Sequence, residues 1–357
     1  MTKKFIKKGK KSDILLGEDE NHNLVHLDIY QTGHLLMAGV PRSGKSICIH
    51  TILTSLILKN SYENLRLVLI DPKQVELVAY KDLPHLAMPI LNDLKLILAG
   101  LKWINEEIDR RKTIFQQLGI SNFEEYERIK KRKIKSVKLP NIVIVADEYA
   151  DLITMYGQET VDILTSIVQR GSQVGIHLIL STVRPTPDVI FGNLKAFIPT
   201  RIAFRVATEI DSKVIIDQAG AENLKGKGDM LLKNEESCIH IQGAYIDEFE
   251  VEEICDFIRK KHPSSYLVNL EELEKMKVEI PKEEKEDEEL LYQIALFCIE
   301  RGTTLVNPIQ LRFGLGFNRV MEILKELEKR NIISPRQGTK GRTILVDEQK
   351  LKEIMDR

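Results

Sequence analysis

Gly39-Val40-Pro41-Arg42-Ser43-Gly44-Lys45-Ser46 reads G-x-x-x-x-G-K-S, the spacing of a loop that cradles phosphate groups. Its flanks give it meaning. Upstream, His34-Leu35-Leu36-Met37-Ala38 is a short apolar run suited to a buried strand, and downstream, Ile47 to Leu58 is apolar, lacks Gly and Pro, and predicts a helix. Strand, Gly-rich loop and helix together aim backbone N–H groups and a helix N-terminus at phosphate oxygens. The predicted ligand is ATP with Mg²⁺, its phosphates wrapped by Gly39 through Ile47. Lys45 is expected against the β- and γ-phosphates, with the Ser46 hydroxyl on the metal.

A second motif, Ile142-Val143-Ile144-Val145-Ala146-Asp147-Glu148, is an apolar strand ending in two acids. Such a strand delivers carboxylates to the carboxyl edge of an open α/β sheet, where ligands bind. Asp147 is expected in the magnesium shell and Glu148 beside the attacking water, which makes Lys45, Asp147 and Glu148 the predicted catalytic set. Ser181-Thr182-Val183-Arg184-Pro185 ends a third strand, so Thr182 is expected near the γ-phosphate. Asp71-Pro72-Lys73 follows a fourth; for Lys73 and Arg184, a phosphate contact and a structural ion pair both stand open.

The chain has 357 residues, enough for two to three domains, and its 43% hydrophobic and 29% charged content is that of an ordinary soluble protein. A net charge of −1 does not itself announce a nucleic-acid partner, but Lys3, Lys4, Lys7, Lys8, Lys10 and Lys11 form a basic arm and Lys130 to Lys138 a second cluster. Cys48, Cys238, Cys255 and Cys298 lack metal-ligand spacing, which predicts no metal–thiolate site and a reducing compartment. No apolar run approaches the ~20 residues that span a bilayer, and no long apolar run follows the basic arm, so a cytoplasmic protein without a membrane segment or signal peptide is expected.

Four regions are predicted: the arm over 1–12, an α/β unit over 13–258, a charged linker over 259–289 and a small unit over 290–357. In the α/β unit, apolar runs at Leu65–Ile70, Ile142–Ala146 and Ile176–Ser181 alternate with helical stretches at Asp93–Leu118 and Glu159–Gly171, which implies a mainly parallel, helix-covered sheet. In the small unit, Leu290–Glu300, a helix starting near Asn307-Pro308 and Phe317–Arg330 precede Ile332-Ile333 and Thr343–Val346, with a break at Leu315-Gly316 and a turn at Gly338–Gly341. Three helices and a hairpin make a winged helix-turn-helix, with Phe317–Arg330 as the groove-reading helix.

With these motifs in place, the chain resembles the FtsK/SpoIIIE-type DNA translocases. GVPRSGKS, IDPKQVELVAYKDLPHL, IVIVADEYADL, GIHLILSTVRPTPDVIFGNLKAFIPTRIAFRV and IDSKVIIDQAGAENLKGKGDMLL run in the family's order, and GLGFNRVMEILKELEKRNIISP is similar to its terminal winged helix. The resemblance implies a RecA-like P-loop motor that forms a hexameric ring around double-stranded DNA and shares ATP between subunits. It implies a DNA-gripping loop at Gly220–Gly228 with Lys225 and Lys227 on the backbone, and DNA contacts in the winged helix from Arg312, Asn318, Arg319 and Lys325, with Arg336, Lys340 and Arg342 in support. The family's membrane region and long linker have no counterpart in this sequence, which suggests a mobile-element or accessory member.

Several positions depart from the pattern. Val183 stands where the family has a γ-phosphate-sensing Gln, while Ser172 and Glu209 stand where it places basic residues that reach a neighbour's nucleotide. Arg170, Arg201 and Arg205 are candidate substitutes. In the reading helix, Glu322 and Lys325 exchange the family's charges, which predicts altered sequence preference. Two alternatives fit the same residues: an ATP-switched DNA-binding or loading protein with weak hydrolysis, and a protein-export ATPase of the same superfamily.

Overall fold

The apolar runs of the first 243 residues become strands of one nine-stranded sheet, ordered β2-β1-β9-β8-β7-β3-β6-β5-β4. The strands are β1 (Asp13–Asp19), β2 (Leu24–Asp28), β3 (Leu35–Ala38), β4 (Leu65–Ile70), β5 (Asn141–Ala146), β6 (Ile176–Thr182), β7 (Arg201–Phe204), β8 (Asp229–Lys233) and β9 (Cys238–Gly243). The computed structural model describes residues 12–131, 138–190, 192–276, 283–313, 317–335 and 342–355. The basic arm at Lys3–Lys11 and the centre of the second basic cluster lie outside them.

The predicted parallel sheet is the core of this array. β7, β3, β6, β5 and β4 pair in parallel, whereas β8, β9, β1 and β2 extend the sheet as an antiparallel wing. The wing was not anticipated, because its strands mix polar and apolar residues and are only partly buried, unlike β4, β5 and β6, which are buried throughout.

Helices cover both faces: α1 (Lys45–Lys59), α2 (Leu94–Leu118), α3 (Phe123–Lys131), α4 (Tyr149–Arg170), α5 (Gly192–Phe197), α6 (Glu209–Ile216), α7 (Glu248–Lys261) and α8 (Leu270–Lys275). Strand alternation divides the core. Ile142, Ile144 and Ala146 of β5 face one hydrophobic cluster with α2 and α4, while Val143 and Val145 face the other with α1 and α7. The Asp93 side chain accepts from the N–H groups of Lys95 and Leu96 and starts α2 as its sequence predicts. α4 begins well before the expected Glu159 because two helical stretches run together across Gly157 (φ 50°, ψ −129°).

The linker expected over 259–289 is corrected over much of its length. α7 runs to Lys261, the N–H groups of Leu267 and Val268 donate to the Ala87 carbonyl at 2.7 and 3.0 Å, and Leu273 of α8 is buried. A few apolar side chains dock the segment despite its charge. The chain accordingly divides at 277/278 into two compact units. Pro281 lies outside the described residues.

The second unit holds α9 (Glu283–Arg301), α10 (Val306–Phe313), α11 (Phe317–Lys329) and α12 (Glu348–Ile354). Val320, Ile323, Leu324 and Leu327 repeat at helical spacing and pack α11 against Leu291, Ile294 and Cys298 of α9. Ile333 bridges Ile344 in antiparallel fashion, and Leu345 N–H donates to the Ile332 carbonyl at 3.0 Å, so the expected pairing forms. α12 was not anticipated; Asp347 caps it and Leu351 anchors it in the core. Leu315-Gly316, Gly338–Gly341, Arg336 and Lys340 lie outside the described residues.

A candidate phosphate site at the carboxyl edge of the sheet

The carboxyl ends of β3, β6, β5 and β4 bring the predicted motifs to one edge. β6 separates the strand that carries the Gly-rich loop from the strand that ends in Asp147-Glu148. The loop turns through Arg42 (φ 61°) and Gly44 (φ 116°) before α1 begins at Lys45. A side chain at Gly44 has no room: its Cβ would lie 2.4 Å from the Gly228 nitrogen. Lys45 is buried and folds onto its own loop, donating to the Gly39 carbonyl at 2.7 Å and the Val40 carbonyl at 3.2 Å. Burial holds its pKa below the ordinary lysine value, against the pull of Glu148, Asp147 and Glu76. Ser46 and Ile47 follow on the first turn of α1, and the Ser43 hydroxyl is buried without a partner.

Asp147 and Glu148 sit opposite. Burial, reinforced by Glu76, Glu148 and Asp71, raises the Asp147 pKa above the usual carboxylate range. Glu148 occupies the left-handed region (φ 51°, ψ 52°) and is almost fully buried. Its carboxylate accepts from the Thr182 hydroxyl at 2.9 Å and from the Val183 N–H at 3.0 Å, and Lys73 Nζ lies 3.7 Å away. At the strand end expected near the γ-phosphate, the Thr182 hydroxyl and the Val183 backbone N–H both donate to Glu148. Lys73 also reaches Asp151 at 3.8 Å, and Arg184 pairs with Asp151 at 2.7 Å, so both open cases resolve as carboxylate partners. Asp71 accepts from Leu77 N–H at 2.9 Å, while its other oxygen is buried and unpartnered.

Of the candidate arginines, Arg170 is engaged by Asp109 at 2.6 Å and Arg201 by Asp217 at 2.7 Å, whereas Arg205 is exposed with no ion pair among the described residues. The segment expected to grip DNA, Gly220–Gly228, packs against the phosphate loop. Gly228 N–H donates to the Ser43 carbonyl at 2.8 Å, and Lys227 lines a cavity of about 430 Å³ together with Arg42, Gly44, Lys45 and Ser46. The two glycines flanking Lys227 permit this close approach. Lys225 is exposed on the same loop. Gln242 and Gly243 of the wing and the following Ala244 line the cavity too, outside any motif, and Glu76, within a quoted family segment but given no role, acts on both Lys45 and Asp147.

In the second unit Arg312 and Lys325 are exposed, and the side chains of Asn318 and Arg319 lie outside the described residues. Arg342 is not a free cation, because its guanidinium pairs with Glu328.

Residues 1–187 match the FtsK/SpoIIIE family, and residues 285–347 match the Ftsk gamma domain. The chain belongs to the FtsK/SpoIIIE family. It is 38% identical over 333 residues to the DNA translocase SftA of Bacillus subtilis, covering 93% of this chain and 35% of that protein. It is 40% identical over 339 residues to the DNA translocase FtsK of Clostridium acetobutylicum, covering 94% of this chain and 44% of that protein. The chain therefore spans less than half the length of these two relatives. Among solved structures, the pCW3 conjugation coupling protein TcpA with ATPγS superposes with a TM-score of 0.64 at 23% identity, over 73% of each chain. The Type VII secretion ATPase EccC of Thermomonospora curvata gives 0.63 at 22% identity, over 72% of this chain and 32% of that one. At such identities the likeness is one of fold. No helix among the described residues is long and apolar enough to cross a membrane.

Proposed function

We propose that this FtsK/SpoIIIE family chain is an ATP-hydrolysing motor that moves along double-stranded DNA in the cytoplasm as a ring of identical subunits. The observation that carries the reading is the apposition of the Lys45 loop to half-buried Asp147 and buried Glu148 across one intervening strand. The donor set fits a magnesium nucleotide. Asp147 is a half-buried carboxylate with Glu76, Glu148 and Asp71 acting on it. A metal that takes one carboxylate, one hydroxyl, phosphate oxygens and water suits such a site. Ser46 and Asp147 are the residues assigned to hold it, and when bound it neutralises charge across the outer phosphates.

The chain's own residues then have defined tasks. Gly39 through Ile47 wrap the phosphates, and Lys45 leaves its resting carbonyl partners to meet them. Glu148 orients the attacking water and accepts its proton as oxygen bonds to the γ-phosphorus and the bond to ADP breaks. Thr182 and the Val183 N–H hold that carboxylate in one orientation, which makes them positioning groups. DNA backbone contacts are assigned to Lys225 and to Arg312 and Lys325, with Asn318 and Arg319 carried over from the family pattern.

The test is steady-state ATP turnover by the purified chain with and without double-stranded DNA. DNA should raise turnover severalfold, Lys45→Ala should abolish it, and Glu148→Gln should bind ATP but hydrolyse it at least 100-fold more slowly, on the order expected for loss of a water-positioning group. Turnover that DNA never raises favours the ATP-switched binding protein.

A further inference from the structure

We infer that Lys227 is a nucleotide-binding residue: its ammonium meets the inner phosphates of a nucleoside di- or triphosphate held by the phosphate loop of its own chain. The inference rests on the triphosphate site proposed above and adds a residue that no motif assigns to it.

The cavity beside the loop has a direction. It is lined by the start of α1, through Ser46, Ile47 and Cys48, and by Phe204, Tyr245 and Lys227. Asp147 and Glu148, which bound the γ-phosphate end of the proposed site, do not line it. The cavity is therefore the nucleoside side of the phosphate loop, and a cation there faces the phosphates nearest the sugar.

Lys227 is prepared for an anion in two ways. Several cations on neighbouring elements are neutralised, Lys195 and Arg201 by Asp217, Lys213 by Glu209, and Arg184 by Asp151, while Arg42 lines the cavity beside Lys227 and adds to its positive charge. Lys227 is exposed at the cavity and makes no ion pair among the described residues. Its backbone is also fixed in the left-handed region (φ 56°), which a lysine rarely adopts, between two glycines that take positive φ freely. Strain of this kind persists where surrounding bonds over-determine it, and it gathers at ligand sites. Here the bonds are Gly228 N–H to the Ser43 carbonyl (2.8 Å), Gly243 N–H to the Gly228 carbonyl (2.8 Å), Gln242 Nε2 to the Lys227 carbonyl (3.1 Å) and Lys225 N–H to the Asp229 carboxylate (2.7 Å). A lysine pinned to the phosphate loop suits recognition of a ligand on that loop better than tracking of a moving polymer. It also offers a cation from within the chain, where Ser172 and Glu209 remove two that neighbours were expected to supply.

Equilibrium binding of fluorescent ATP and ADP analogues to the full chain tests this, with double-stranded DNA affinity measured in parallel for wild type, Lys227→Gln and Lys227→Arg. Lys227→Gln should weaken both nucleotides by about tenfold, the scale of one lost charge-assisted contact, and flatten the salt dependence of binding. Lys227→Arg should retain most of the affinity, and DNA affinity should stay within twofold in both variants. Unchanged nucleotide affinity in Lys227→Gln, or a loss confined to DNA, overturns the inference while leaving the site intact if Lys45→Ala still abolishes binding. A wild type that binds neither nucleotide overturns the triphosphate site and this inference together.

Discussion

Glu148 combines burial, backbone strain and three polar partners in one side chain. A carboxylate nearly excluded from solvent, in left-handed backbone, is held by a hydroxyl, an amide and a distant lysine. Removing the hydroxyl while keeping the shape, as in Thr182→Val, should lower kcat about tenfold and leave KM for ATP nearly unchanged, because the group acts on the water-positioning carboxylate rather than on the nucleotide. A rise in KM without a fall in kcat, measured by steady-state kinetics, would return Thr182 to direct phosphate contact. The sequence marks Lys45, Ser46, Asp147 and Glu148 as candidates, because their motifs are written in local spacing. It did not reveal that Thr182 serves Glu148: that pairing depends on β6 lying beside β5, and strand order is not written in any one segment.

Two elements carry predictions of their own. The close approach of the phosphate loop to the Gly220–Gly228 segment leaves no space at Gly44, which also has φ 116°. Gly44→Ala should therefore separate the two loops and abolish nucleotide binding, with the thermal midpoint lowered only modestly; retained binding would show that the apposition is dispensable. At the opposite edge of the sheet, His34 and His177 are buried and held neutral, with pKa values pushed down to about 3 and about 4 by burial. His50 and His85 are lowered in the same direction. The unfolded chain protonates these rings near the ordinary histidine value while the folded chain does not, so stability falls as pH drops from about 6.5 toward 4. Each fully discriminated ring contributes a slope of about 1.4 kcal/mol per pH unit. Urea unfolding at pH 7.5, 6.5 and 5.5 should show a declining midpoint, and a flat profile would mean that the rings titrate in place. The strands of the parallel core were legible as near-continuous apolar runs, whereas the antiparallel wing was not: half-exposed strands carry mixed residues that imitate loops.

Across the whole molecule, charge and organisation matter more than any single contact. With a net charge of −1, the proposed DNA affinity rests on local patches rather than on the overall field. Substituting Arg312 and Lys325 together by Ala should weaken double-stranded DNA binding and reduce the salt slope of log affinity by up to about two; an unchanged slope would remove both from the DNA surface. The two-unit organisation was readable from the charged stretch, but its boundaries were not, because Val268 and Leu273 dock a segment whose composition reads as a tether. Arg170 and Arg201 are already engaged within the chain, which leaves Arg205 as the candidate to reach a neighbour's nucleotide. If subunits share the site, ATP turnover per subunit should rise steeply with protein concentration in the presence of DNA, and turnover independent of concentration would mean that one chain suffices. The central claim, that residues 39–46 and 147–148 converge on one triphosphate, is most directly tested by a crystal structure with Mg²⁺ and a non-hydrolysable ATP analogue. The account predicts Lys45 turned from the Gly39 carbonyl onto the β- and γ-phosphates, with Ser46 and Asp147 at the metal. A nucleotide bound elsewhere, or a Lys45 still folded on its own loop beside a bound analogue, would contradict it.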